Sequence, residues 1–390
     1  MRMKNPCLLT GPYDWNAELL PPDEFHSRLS RVANVLAEQR VTALMVHGNS
    51  LEYGALAYLT SFVPKLGPAF ALIERGGPIR LLAAGSDTML PAAKRLTWVE
   101  DVRPIGDLKT SLSQWFGGIT SKDDLVLGLW GDDQMSFRAA VAIQAAIRPF
   151  GRIVELQAAL DSLRVEKSPR ERKLLRRATG IVDAASETFL RAATNGSGVR
   201  SAALAAEHSA FEKGAQDVRI LASARDGGPP LAFEGPSDPV VSPVIACIAV
   251  KFAGYWAEGF VTSVSRCESF VRAHRALAMM LATARAGVTF RELESLGQRD
   301  YTSHYKPHPF ISEHAANSIG LSIDEASGSE ITRDLTLRIG GVYTLRAGAA
   351  GEGRDNAIVS ATIAVNQSTT EILWSSPGAK NELAANRESQ

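Results

Sequence analysis

Cysteine is scarce in this chain, with Cys7, Cys247 and Cys267 alone among 390 residues. Three such residues with no Cys-x-x-Cys pair exclude a disulfide framework and a cysteine-rich metal knuckle. Each is read as a reduced thiol that packs rather than reacts. Net charge is also missing: 42 Lys and Arg balance 42 Asp and Glu. That balance gives no expectation of a nucleic-acid or anionic-membrane partner. No apolar run approaches the roughly 18 residues that mark a membrane span, and the opening residues carry no apolar stretch of signal-peptide length. The expectation is a cytoplasmic protein. Fixed-period repeats and low-complexity tracts are absent as well. What is present, 45% hydrophobic and 22% charged residues, is an ordinary globular composition. At this length two domains are expected.

Apolar positions Phe25, Leu29, Val32, Val35 and Leu36 recur at helical spacing and predict an amphipathic helix over 22–40. The run VTALMVHG (41–48) is apolar and rich in β-branched residues, and predicts a buried strand. Further along, a helix is expected over Leu51–Leu59 and strands at 69–74 and 79–84 around the turn Arg75–Pro78. Helices near 87–96 and 107–116, a strand at 125–130, a helix at 136–148 and a strand at 152–156 complete an alternating pattern. Such alternation with short connections predicts an α/β domain over residues 1–160.

The texture changes at Ser168, which can cap a helix, with Pro169 at its first position and Glu171 closing a capping box. Leu174, Leu175, Ala178, Ile181 and Val182 mark one face of the long helix that follows, to about Ala193. A second helix (199–213), strands at 217–224, 243–251 and 254–264, and helices over 268–285 and 288–302 come next. A strand-rich stretch runs from 319 to 374. These predict an α+β domain over 161–390. The Gly-rich AGAAGEGRDN (347–356) lies between strands and reads as a hairpin loop, since a phosphate-binding loop needs a strand–loop–helix setting. Met279 and Met280 are read as core filler.

The segment LRVEKSPRERKLLRRATGIVDAASETFLRAA (163–193) resembles the entry to the second domain of the creatinase, prolidase and aminopeptidase P family. Arg164, Lys167, Ser168 and Glu171 carry that likeness. Four landmarks follow in order: LASARDGGPPLAFEG (221–235), KFAGYWAEGFVTS (251–263), NSIGLSIDE (317–325), and GVYTLRAG (341–348) with NAIVSATIAV (356–365). YLTSFVP (58–64) is similar to part of the family's smaller N-terminal domain. The resemblance covers about residues 20–375. It implies an α/β N-terminal domain followed by an α+β "pita-bread" domain of the creatinase/aminopeptidase type.

The resemblance also implies a metal site, because the family's metallopeptidases bind two divalent cations through two Asp, one His and two Glu. In this chain those positions fall on Cys247, Glu258, Asn317, Arg346 and Ser360. Hard and borderline cations need anionic or imidazole ligands, and one carboxylate of five survives. A guanidinium now stands where a cation would sit, and like charges in a poorly solvated pocket repel. No metal and no cofactor are expected.

Creatinase, a metal-free member, implies another chemistry on this scaffold. There a His serves as acid and base, carboxylates clamp a guanidinium, and a basic residue of the partner subunit holds the substrate carboxylate. The stretch Gly254–Glu258 reads closer to that branch. The two expected His positions nevertheless fall on Glu234 and Asp324. A general acid or base must sit within hydrogen-bond reach and titrate near working pH, so Glu234, Glu258, Asp324 and His314 are the catalytic candidates. His314 is the best candidate for a replacement acid or base, although a surface or strand-end histidine is its plainer and favoured reading. Arg346, Asn317, Tyr255, Trp256, Glu325 and Lys65 are the substrate-binding candidates. Each has a plainer reading. Glu258 or Asp324 can pair with Arg346 as a structural salt bridge, Tyr255 and Trp256 can be packing, Lys65 can be a solvated surface lysine, and Cys247 in VIACIAV can be a core thiol. The resemblance implies a homodimer, with Lys65 near the loop that reaches the partner's site.

Two functions are therefore expected to compete. One is a metal-independent enzyme acting on a small amino-acid-like, guanidino or amide substrate, most simply by C–N hydrolysis. The other is a catalytically inactive descendant that binds or scaffolds. A lyase or cyclisation step on the same scaffold is the third alternative.

Overall fold

The computed structural model describes residues 15–119, 125–223, 230–232, 243–263, 267–299, 304–311, 315–325, 334–352 and 355–377. The chain divides between Arg164 and Val165 into two compact units.

The first unit runs α1 (Pro22–Glu38), β1 (Ala43–Gly48), α2 (Gly54–Thr60), β2 (Ala69–Glu74), β3 (Ile79–Ala83), α3 (Leu90–Lys94), β4 (Asp101–Pro104), α4 (Leu108–Gly118), β5 (Leu125–Trp130), α5 (Phe137–Ile147) and β6 (Gly151–Glu155), then enters α6 (Gln157–Val165). Its six strands lie in the order β4-β3-β2-β1-β5-β6. The pairs β1–β2 and β2–β3 are antiparallel and the others parallel. Every residue of β1 is buried, as expected of a strand covered on both faces. Phe70, Leu72 and Leu82 pack in one core with Leu112 and Phe116 of α4 and with Ile119 just after it.

Several local expectations change. The helix expected from Leu51 begins only at Gly54, because Asn49 Oδ1 accepts the amides of Leu51 and Glu52 (both 2.8 Å) and holds that stretch as a turn. Leu51 stands 77% exposed. The sequence pattern does not announce β4 or α6. The former is a four-residue edge strand with two charges, too short to show alternation.

The second unit opens with α7 (Pro169–Thr194), whose capping box is formed as expected: Ser168 Oγ accepts the Glu171 amide (3.1 Å), and Glu171 Oε2 accepts the Ser168 amide (2.9 Å). Then follow α8 (Val199–Glu212), β7 (Asp217–Ala222), β8 (Ile245–Phe252), β9 (Tyr255–Thr262), α9 (Glu268–Thr283), α10 (Phe290–Gly297), β10 (Lys306–Pro307), β11 (Ala316–Ser318), β12 (Val342–Ala350), β13 (Asn356–Val365) and β14 (Thr370–Ser375). One sheet is the antiparallel β7-β8-β9, packed on α7 through Ile181, Val182, Ala185, Ala246, Ile248, Ala257 and Val261. The other has the order β10-β12-β13-β14, with β11 also paired to β12. Its Tyr343, Leu345, Val359 and Ile363 face the core beneath α9, where Leu277 and Met280 are buried.

The Gly-rich stretch expected as a loop from residue 347 is strand as far as Ala350. Gly348 permits this, since a Cβ there would lie 2.9 Å from the Ala357 carbonyl oxygen and 3.0 Å from Ile311 Cδ1. Only residues 351–355 connect β12 to β13.

Candidate functional site

Side chains alternate across a strand, so each strand of the second unit divides its residues between two surroundings. On β9, Ala257 and Val261 face α7, as does Tyr255 through its hydroxyl bond to Glu171. Trp256, Glu258, Phe260 and Thr262 point the other way, joined there by Cys247 through the register Cys247↔Phe260. On β12 and β13 the face opposite α9 carries Thr344, Arg346, Ser360 and Thr362, through the pairs Thr344↔Thr362 and Arg346↔Ser360. Asn317 joins that face by pairing with Thr344. Hydrogen bonds tie β9 to β13: Phe260 N–H donates to Ser360 Oγ (2.8 Å), and the Thr262 hydroxyl donates to the Ile358 carbonyl (2.8 Å).

At the centre Arg346 Nη2 donates to Glu258 Oε1, with side-chain exposures of 9% and 5%. The guanidinium carbon lies 5.5 Å from the centre of the Phe260 ring. Cys247 is buried beside them. Burial pushes its thiol far above the usual range, the Glu258 charge adds to the rise, and Arg346 opposes it. A thiol held so strongly protonated is no nucleophile at neutral pH.

Asn317 Nδ2 donates to the Ile323 carbonyl at 2.5 Å. Its Oδ1, together with Thr344 Oγ1 and Thr362 Oγ1, is buried without a hydrogen-bond partner among the described residues. These three belong to successive paired strands and form one polar row alongside Arg346. An unmet buried polar atom costs about 1–3 kcal/mol, so the row is an expensive lining for a purely structural filling.

The structure thus brings together Glu258, Arg346 and Asn317 of the expected residues. Tyr255 is placed elsewhere: it is fully buried, and its hydroxyl donates to Glu171 Oε1 at 3.0 Å on the α7 side. Trp256 shares the Glu258 face but is 3% exposed, with the Arg219 guanidinium carbon 4.7 Å and Lys251 Nζ 5.2 Å from its ring centre, so it packs rather than forming an open wall. Glu325 pairs with Lys167 at 2.5 Å, both side chains nearly inaccessible, and receives the Leu321 amide at 3.0 Å. It braces the loop after β11 against the start of α7. Asp324, beside it, is half-buried. Lys65 is exposed in the first unit. Glu234 and His314 lie outside the described residues. Sequence reasoning missed Thr344 and Thr362. Their signal is a hydroxyl two residues from Arg346 and two from Ser360, each inside an otherwise apolar strand.

The metal-ligand positions implied by the resemblance do not fit a divalent cation. Glu258, the one carboxylate, is taken by Arg346; Ser360 already accepts an amide; Cys247 is held protonated. Among the described residues no group of three or more His, Cys, Asp or Glu comes together to hold a metal.

No family model matches this chain, and no curated protein matches it. Solved structures do. The prolidase from Pyrococcus horikoshii is 17% identical with a TM-score of 0.70, over 89% of this chain and 97% of that one. An X-Pro aminopeptidase from Thermotoga maritima is 19% identical with a TM-score of 0.71, over 88% and 96%. Zn-substituted aminopeptidase P from Escherichia coli is 14% identical with a TM-score of 0.68, over 90% and 94%. The chain has the pita-bread fold that these peptidases share.

Proposed function

We propose that this chain is a metal-independent, creatinase-like hydrolase of a small amino-acid-like, guanidino or amide substrate, with C–N bond cleavage its simplest reaction. The Arg346–Glu258 pair carries the reading. A guanidinium grips a carboxylate through two parallel hydrogen bonds, and a carboxylate grips an ammonium or guanidinium. A substrate bearing both charges exchanges one internal ion pair for two without adding net charge to a buried site. The unmet oxygens of Asn317, Thr344 and Thr362 offer polar contacts beside it. Proton transfer falls to Glu258, once freed from Arg346, or to Asp324, with Glu234 and His314 as the further candidates named by the sequence. The same reading takes the protein as a cytoplasmic homodimer in which Lys65 reaches a substrate carboxylate in the partner's site.

A second reading, a non-catalytic binding protein, has its own support. Glu258 and Arg346 already satisfy each other, so the pair can serve as a buried structural salt bridge with no ligand.

A thermal-shift screen of creatine, free amino acids, cyclic amidines and X-Pro dipeptides, with assays for released amine, separates the two. Stabilisation by a small zwitterion that vanishes in Arg346→Ala, accompanied by turnover, is the expected result. No stabilisation and no turnover with any of them would leave the binding reading in its place.

A further inference from the structure

A second cavity, of about 410 Å³, lies in the first unit between α4 and the edge of the sheet. Its size is that of a small-molecule pocket. The register across β2, β3 and β4 builds it in two rows on one sheet face: Leu72, Arg80 and Asp101 in the first, Phe70, Leu82 and Arg103 in the second. Half-buried Trp115 of α4 supplies the accessible apolar wall, and Leu72, Leu82 and Ile119 close the cavity's inner end with almost no exposed surface. Arg80, Asp101 and Arg103 end that apolar layer at the rim.

The rim has a surplus of positive donors. Arg80 Nε donates to Asp101 Oδ2 at 2.7 Å; Arg103 Nε donates to Oδ1 at 2.7 Å and its Nη2 to Oδ2 at 3.1 Å. One carboxylate therefore fixes two guanidinium groups in place. It leaves both outer nitrogens of Arg80 and one of Arg103 with no bond among the described residues. Arg80 side-chain exposure is 27%, so it is shielded enough to matter and open enough to be reached. Glu74, two residues along β2 from Leu72, lines the same cavity and disfavours a second negative group. The Ser111 hydroxyl is spent on the Ile105 carbonyl (2.9 Å), whereas the Gln114 amide is exposed at the rim.

We infer that this cavity is a binding site for an aromatic monocarboxylate, separate from the Arg346–Glu258 cluster. The ring lies against Trp115, and the carboxylate takes the outer N–H groups of Arg80 and Arg103. Guanidinium groups already oriented by Asp101 lose little freedom on binding. Offset stacking on Trp115 favours an aromatic body over an aliphatic one, and Glu74 sets the preference for one negative charge over two.

Titration of the full chain with benzoate, phenylacetate and indole-3-acetate, followed by calorimetry and by ligand-observed NMR, tests this. Benzyl alcohol, phthalate and acetate serve as the uncharged, doubly charged and ring-free controls. Binding of the aromatic monocarboxylates, weakened about tenfold or more in Arg103→Leu by loss of a charge-assisted bond and weakened also in Trp115→Leu, is the expected result. Arg103 is more than half exposed, so its replacement leaves the fold intact, and the second variant tests the opposite wall. Absence of binding at millimolar ligand, equal binding of benzyl alcohol, or affinity unchanged in both variants would overturn the assignment.

Discussion

His274 of α9 offers a test in which a pH change acts through one residue. It is 2% exposed, neither ring nitrogen has a hydrogen-bond partner among the described residues, and its ring meets Phe270 edge-on at 4.3 Å. Burial alone lowers its pKa from 6.5 to about 4. The folded chain therefore refuses a proton that the unfolded chain accepts. The associated stability is fully present above the unfolded pKa and is lost as pH falls toward about 4. Across the whole window this amounts to roughly 3 kcal/mol, of which about 2 kcal/mol is gone by about pH 5. For a unit of this size the latter is a fall of about 5 °C in melting temperature. The assay is denaturant or thermal unfolding of the second unit's transition at about pH 8 and about pH 5, in the unaltered chain and in His274→Leu. His47, in the first unit, is also lowered by burial, partly offset by its bond to the Gly131 carbonyl, so the comparison between the two chains isolates His274. The unaltered chain should lose about 2 kcal/mol more than His274→Leu between the two conditions. Equal losses would refute the reasoning.

Two further outcomes follow from the buried charges and the thiol. Glu258→Gln leaves the Arg346 guanidinium buried without its carboxylate and should destabilise the second unit by about 3–5 kcal/mol in urea titration; a change near zero would mean the pair is solvated. Cys247 should resist alkylation in the native chain at about pH 8 and react only on unfolding, because burial holds its thiol protonated; peptide mapping after labelling checks this, and rapid native labelling would contradict it.

Much of the local architecture is legible in the sequence because the forces that set it are local. The Ser168–Glu171 box involves four residues and forms as read. A similar box, Thr289 with Glu292, starts α10 and was equally available. β1 announces itself by the apolar run ALMV that opens it. What depends on partners far along the chain is hidden. Lys167 and Glu325 are 158 residues apart, and nothing in either neighbourhood says that they meet. The three-strand row of Asn317, Thr344 and Thr362 exists only through register. The pairing of Glu258 with Arg346 was among the expected readings because both lie at positions that the family resemblance gathers into one cavity. The division of β9 that sends Tyr255 to α7 and Glu258 to Arg346 follows from period-two alternation. A sequence shows that alternation without saying which face is which.

We propose that the buried Arg346 guanidinium, bonded to Glu258, leaves no divalent-cation site at the positions where the family resemblance implies metal ligands. The direct measurement is elemental analysis of the purified chain after incubation with manganese, zinc or cobalt and removal of free metal, alongside Glu258→Gln. Substoichiometric metal in both chains is the expected result. One or two equivalents bound per chain and lost in Glu258→Gln would contradict it.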